Sequence, residues 1–242
     1  MLAPHTGQPG TRSTEITATS VCQGSRYTSA GRCSADPYQP KTILNPSLTC
    51  QAAISAGKVG KTPTVAADGT LFTVADGLDA TGNTITLNTT AGTVTQTAAK
   101  NVTAANLELQ GAGSYTLDST GNNVAKIAGS TSGTVKYVDA DALAVDTVTT
   151  AGFTGVGNIT LNTQSSNLTL NQAINAGANT VRLQANAGNV TQAAAGVITA
   201  GTLGVNALGG TGTVDLSAAN NAVATGGSAA MKAGGGNLQF KN

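Results

Sequence analysis

Apolar and polar residues alternate in short runs along most of the chain. Ile85/Leu87, Leu107/Leu109, Tyr115/Leu117, Val135/Tyr137 and Leu143/Val145 each place two apolar residues two apart. Ile159/Leu161, Leu168/Leu170, Val181/Leu183, Leu203/Val205 and Val214/Leu216 continue the series. A period of two is the signature of a strand with one buried face. Gly, Asn, Ser, Thr and Asp fill the gaps and supply turns. No stretch carries a helical period, and the Ala run 193–195 is short and followed by Gly196.

The runs are themselves repeated. NTITLNTTAGTVTQ over residues 83–96 returns as NTVRLQANAGNVTQ over residues 179–192. At this offset Leu87 meets Leu183, Val94 meets Val190, Val102 meets Ile198 and Leu107 meets Leu203. A slip of about two residues then brings Asn122-Asn123 onto Asn220-Asn221. The two copies span about 83–145 and 179–242 and are expected to rebuild the same part of a coil. Similar blocks also recur at about twenty residues, as with Ile159-Thr160-Leu161 and Val181-Arg182-Leu183. Short strands, small aliphatic inward residues and turn-flanking Asn and Thr together predict a parallel β-solenoid over residues 64–242. At roughly 20 residues per coil and a strand spacing of ~4.8 Å, eight or nine coils would form a rod on the order of 40 Å long.

Composition sharpens the picture. Aromatic residues make up 3% of the 242-residue chain, charged residues 10%, and there is no Trp. Such a chain suits a thin layered core. All six Pro and all three Cys lie in the first 63 residues, which places a boundary near Pro63. Residues 1–63 read as an irregular linker or N-terminal segment. The net charge of +1 gives no pointer to nucleic acid. No run reaches the ~18–20 apolar residues of a membrane span, and no signal peptide is visible. The chain is therefore expected to be a fragment of a longer exported protein. Cys22, Cys33 and Cys50 allow at most one intramolecular disulfide, and with His5 the only His they do not build a zinc site.

The blocks GNITLNTQSSNLTLNQAINAG, VTQAAAGVITAGTLGV and GTVDLSAANNAVA resemble filamentous haemagglutinin-type exoproteins, the large adhesins of bacterial two-partner secretion. The resemblance covers roughly residues 70–242. It implies an all-β, right-handed parallel β-helix, secreted to the cell surface through an outer-membrane transporter. It also implies a role in adhesion, aggregation or contact-dependent competition, with a host or neighbouring-cell glycan or protein as partner. The family's Asn-Pro-Asn-Leu secretion motif is met only by Asn45-Pro46-Ser47-Leu48, read here as a turn.

Few residues carry chemistry. Ser55–Thr62 (SAGKVGKT) misses the first Gly of a phosphate-binding loop, and Pro63 opposes the helix that such a loop needs. Asp139 and Asp141 form the best acidic pair, with Asp146 nearby and Lys136 as the local base. On one strand, residues two apart share a side, so this pair could bind a cation or share a proton. Solvated turn acids are the simpler reading. The Thr-x-Thr pairs 84/86, 93/95 and 147/149 could form an ice-binding ladder only if stacked on one face. The chain is thus expected to be non-enzymatic and without a cofactor, a structural shaft segment. A β-helix glycan-active enzyme fragment and a ligand- or ice-binding solenoid are the alternatives.

Overall fold

The computed structural model describes residues 77–242, together with four short strands before them, with side chains for Val74 and from Gly77 onward. Those strands are β1 (Glu15–Ala18), β2 (Gln51–Ala53), β3 (Thr64–Ala67) and β4 (Leu71–Val74). There follow β5 (Leu78–Thr89), β6 (Thr93–Gln96), β7 (Val102–Gly111), β8 (Ser114–Leu117), β9 (Asn123–Thr131), β10 (Val135–Asp139) and β11 (Leu143–Val145). Next come β12 (Phe153–Thr154), β13 (Ile159–Thr163), β14 (Leu168–Leu170), β15 (Ile174–Asn175), β16 (Thr180–Ala185) and β17 (Val190–Gln192). The series ends with β18 (Ile198–Ala207), β19 (Val214–Leu216), β20 (Ala222–Ala233) and β21 (Leu238–Phe240). Each strand pairs in parallel with the strand one turn later, so the fold is an all-β parallel β-solenoid. β1 and β2, which fall within residues 1–63, pair with β3 and β4 in the same ladder. The Cys residues, His5 and residues 45–48 and 55–62 lie outside the described residues.

One column of partners shows the coil length. It runs Phe72, Val94, Tyr115, Val135, Ile159, Val181, Leu203, Ala229. The steps are 22, 21, 20, 24, 22, 22 and 26 residues, read directly from these partners. Most coils are thus longer than twenty residues, and seven turns replace the expected eight or nine.

Period-two alternation does the packing. β13, β14, β17 and β19 each bury first and third residues and leave the middle one half-exposed. Fully buried Val, Ile, Leu and Ala from successive turns fill a narrow interior. Each such aliphatic side chain contributes on the order of 1.5–3 kcal/mol of burial. Where one turn supplies a large residue, its neighbour supplies space. In the column Leu109–Gly129–Phe153–Ile174, a Cβ on Gly129 would lie 2.4 Å from Leu109 O and 3.2 Å from the Phe153 ring.

The two sequence copies do not stack on one wall. Ile85 leads upward through Leu107, Ile127, Val145 and Leu170 to Gln192. Its sequence counterpart Val181 stands in the other column, above Val94. The phrase rebuilds the same kind of arc, but on a neighbouring wall. The reason is visible at β9. Lys126 and Ile127 lie below β11, while Gly129 and Ser130 lie below β12. One wall of the lower turns therefore divides between two strands above it. The chain leaves the wall between them, over residues 146–152.

Candidate functional site

The interior corners hold the polar groups with the most defined geometry. At the first corner Asn122 is fully buried. Its Oδ1 accepts the Val102 N–H (2.8 Å) and Gln96 Nε2 (2.6 Å). Its Nδ2 donates to Leu117 O (3.1 Å) and Val138 O (2.9 Å). Gln96 Nε2 also donates to Lys100 O, closing the bend between β6 and β7. The second corner repeats this bond for bond. Asn221 Oδ1 accepts the Ile198 N–H (2.9 Å) and Gln192 Nε2 (2.6 Å), and its Nδ2 donates to Leu216 O and Lys241 O. Gln192 Nε2 donates to Gly196 O. The true counterpart of Asn122 is therefore Asn221, a slip of three residues, not the two read from the sequence. A buried bend leaves strand N–H groups without a ladder partner, and a side-chain amide can serve a donor and an acceptor at once.

Asp139 caps the first corner. Its Oδ2 accepts the Val124 N–H (2.9 Å) and the Tyr137 hydroxyl (2.7 Å), and its Oδ1 accepts the Asp141 N–H (3.0 Å). In the second corner Asn242 Oδ1 holds the Val223 N–H in the same way, and Phe240 stands where Tyr137 would. Burial pushes Asp139 up to about 6, against the Asp141 N–H, Tyr137 and Val124 bonds that favour its ionised form. Burial and the adjacent Asp139 carboxylate raise Tyr137 well above the usual phenol range.

Asp139 and Asp141 differ in burial, although the Asp141 carboxyl lies close enough to help raise Asp139. β10 ends at Asp139, so strand alternation does not extend to Asp141. Asp139 is buried, whereas Asp141 is exposed and accepts Asn123 Nδ2 at 3.1 Å. Lys136 points outward and binds Asp118 Oδ2 on the turn below at 2.7 Å. Acid and base thus sit on opposite sides of β10. Asp146 is bound to Lys126 (3.2 Å) and Asn171 (3.1 Å). Burial raises its pKa, but the Thr147 N–H, Asn171 and Lys126 together hold it below the usual carboxylate value. Among the described residues no group of three or more His, Cys, Asp or Glu is placed to hold a metal ion.

Two further features escape the sequence. Residues 146–152 form a strap folded over the outer wall, closed by a Thr147–Ala151 bridge. Beneath it lies Glu108, fully buried, accepting the Thr149 N–H (3.0 Å), the Thr150 N–H (3.3 Å) and the Thr150 hydroxyl (2.5 Å). Nothing near Glu108 in sequence announces a partner forty residues away. Below it in the chain, a surface cleft of about 460 Å³ is lined by Gln96, Ala98, Asn101, Asp118, Ser119 and Gly121. Its polar groups are engaged within the wall: Gln96 with Asn122, Ser119 with Asn101, Asp118 with Lys136.

The outward residues of β13, β16, β18 and β20 give a different surface. One column reads Thr160, Arg182, Gly204, Ala230; beside it stand Asn162, Gln184, Asn206, Lys232. Gln184 Nε2 donates to Asn186, whose Nδ2 donates to Gln164 Oε1. Five amides therefore gather on three successive turns. The three Thr-x-Thr pairs lie instead on β5, on β6 and in the strap. The column through Thr95 and Thr116 is interrupted at Lys136 and again at Arg182.

Asn-x-Thr triplets have a structural use here. Asn158, Asn167 and Asn189 each offer Oδ1 to a backbone N–H one turn on, at Thr180, Asn189 and Thr213. No helix of the described residues is long and apolar enough to cross a membrane. Comparison with protein-family models, with curated proteins and with solved structures finds no match to this chain.

Proposed function

We propose that this chain is a structural shaft segment of a secreted bacterial surface exoprotein of the filamentous haemagglutinin type. It supports adhesion or aggregation and performs no catalysis. The observation that carries the reading is the interior: buried, mostly aliphatic residues from successive turns form one core cluster. The polar groups that such a fold must bury are spent on holding turns together. A rod of this kind transmits force along its axis through parallel ladders and holds a distal module away from the cell. The parent would cross the outer membrane through its transporter and meet a host or neighbouring-cell glycan or protein.

The reading is tested by displaying the chain between a surface anchor and a binding head. A second copy in tandem should raise the head by about 34 Å, seven turns at ~4.8 Å each, with adhesion retained. An unchanged height would overturn it. So would release of sugar from host glycans by the purified chain.

A further inference from the structure

We propose that the surface cleft at the first corner binds an α-ammonium group with a carbonyl beside it, as a free amino acid or the N-terminus of a peptide carries. The proposal goes beyond the shaft reading and does not rest on it.

The second corner shows what the bend itself requires. Both corners turn on the same bonds, made by Gln96 and Asn122 in one and by Gln192 and Asn221 in the other. The bonds to Lys100 O and Gly196 O, and to Leu117 O and Leu216 O, fix the register between them. In that register Asn101, Asp118, Ser119 and Thr120 stand where the second corner carries Val197, Ser217, Ala218 and Ala219. Val and Ala suffice for the bend, so the polar set at the first corner answers to something else. All four of its members line the cleft of about 460 Å³. At the lip stands Ala99, with φ 59°, alone among the described non-glycine residues in the left-handed region. Its counterpart Ala195 does not share that conformation. Such outliers gather at ligand clamps.

The open atoms define the ligand. Asn101 Oδ1 accepts the Ser119 hydroxyl at 2.7 Å, and no hydrogen bond among the described residues uses Asn101 Nδ2. The amide lies against Gly121, where a Cβ would come 2.5 Å from Nδ2. Asp118 gives Oδ2 to Lys136 Nζ at 2.7 Å and keeps Oδ1 open. That pair shows the carboxylate already holding one alkylammonium. The Thr120 hydroxyl is exposed. Asp118 is the only charged residue in the lining, so the cleft selects a cation. An ammonium has three donors and can serve Asp118 Oδ1 and the Thr120 hydroxyl together. A carbonyl beside it accepts from Asn101 Nδ2, and a small substituent rests on the methyl groups of Ala98 and Ala99.

The test titrates the whole 242-residue chain, isotope-labelled, at neutral pH with trialanine amide, N-acetyl-trialanine amide and free alanine. Nuclear magnetic resonance reads the amide signals of both corners. Trialanine amide should give saturable shifts at the Asn101 side chain and at Ser119, Thr120 and Gly121, while residues 193–198 stay unmoved. The acetylated peptide lacks the ammonium and should bind about tenfold more weakly or less, the scale of one charge-assisted bond. Free alanine binding as tightly as the peptide assigns the site to a free amino acid; binding of the peptide alone assigns it to a chain N-terminus. Asn101→Val/Asp118→Ser/Ser119→Ala gives the first corner the residues of the second; it should keep its circular dichroism and lose the shifts. If that variant does not fold, Asp118→Ser alone, at a partly exposed position, should lose about tenfold in affinity. Equal binding of the acetylated peptide, equal shifts at both corners, undiminished binding by the folded variant, or no saturable shift would each overturn the proposal.

Discussion

Replacing Asp139 by Asn should remove a pH dependence of stability that this one carboxyl imposes on the rod. In the folded chain its pKa is raised from 3.8 to about 6. An acid raised on folding binds its proton more tightly in the folded state. Its ionised form therefore costs stability. The cost is absent below about pH 4, grows as pH rises from about 4 to about 6, and is constant above. A shift of this size corresponds to roughly 3 kcal/mol at pH 7, at 1.36 kcal/mol per unit. The substituted amide would carry no charge and could accept the Val124 N–H and Tyr137 hydroxyl through its oxygen. Its Nδ2 would then face the Asp141 N–H, which now donates to Asp139 Oδ1 at 3.0 Å. That donor–donor contact costs about 1–2 kcal/mol. The variant should thus be more stable than the parent at pH 7 by about 1–2 kcal/mol and less stable at pH 4 by a similar amount. Urea unfolding followed by circular dichroism at the two pH values reads both differences. Hydrogen exchange at the Val124 amide locates the effect. Asp146, with a lowered pKa, pulls the other way: its contribution is present at neutral pH and lost as pH falls. Subtracting the variant from the parent cancels it. If that difference keeps one value from pH 4 to pH 7, Asp139 is not the buried acid described here.

Four other substitutions address the corners, the core and the strap. Asn122→Ala and Asn221→Ala should each destabilise by about 2–4 kcal/mol, because each strands a strand N–H and two carbonyls in the interior; similar losses in urea midpoint would confirm that the corners are equivalent. Gly129→Ala should cost about 1–3 kcal/mol, since its Cβ would meet Leu109 O and the Phe153 ring; an unchanged melting temperature would contradict the packing. Glu108→Ala should free the strap while leaving the circular dichroism of the rod intact, read as faster protease cleavage within residues 146–152. An unaltered cleavage rate would show that the strap is held by Asp146 and its partners instead.

The strands are legible in the sequence because each depends on its own two or three apolar residues. Ile159/Leu161 and Val181/Leu183 sit two apart, and both pairs point inward on successive turns. The stacking is less legible because it depends on how many residues each turn takes. Steps of 20 to 26 residues accumulate along the rod, so an offset of 96 in sequence does not return to the same wall. The acidic pair divides into a buried and an exposed member for a local reason: alternation holds only while the strand lasts, and β10 stops at Asp139. The amide wall is hidden because Asn162, Gln184 and Asn206 are ordinary turn-forming residue types that become a column only in register. The exchange of Tyr137 and Asp139 for Phe240 and Asn242 is a signal the sequence does carry, since a hydroxyl and a charge vanish together.

The shift of the repeated phrase from one wall to the next governs how the rod meets other surfaces. The two copies of the phrase turn their outward residues towards different sides of the rod. A flat membrane or a neighbouring rod lying alongside can touch only one of them at a time. Two independent soluble partners can occupy both without colliding.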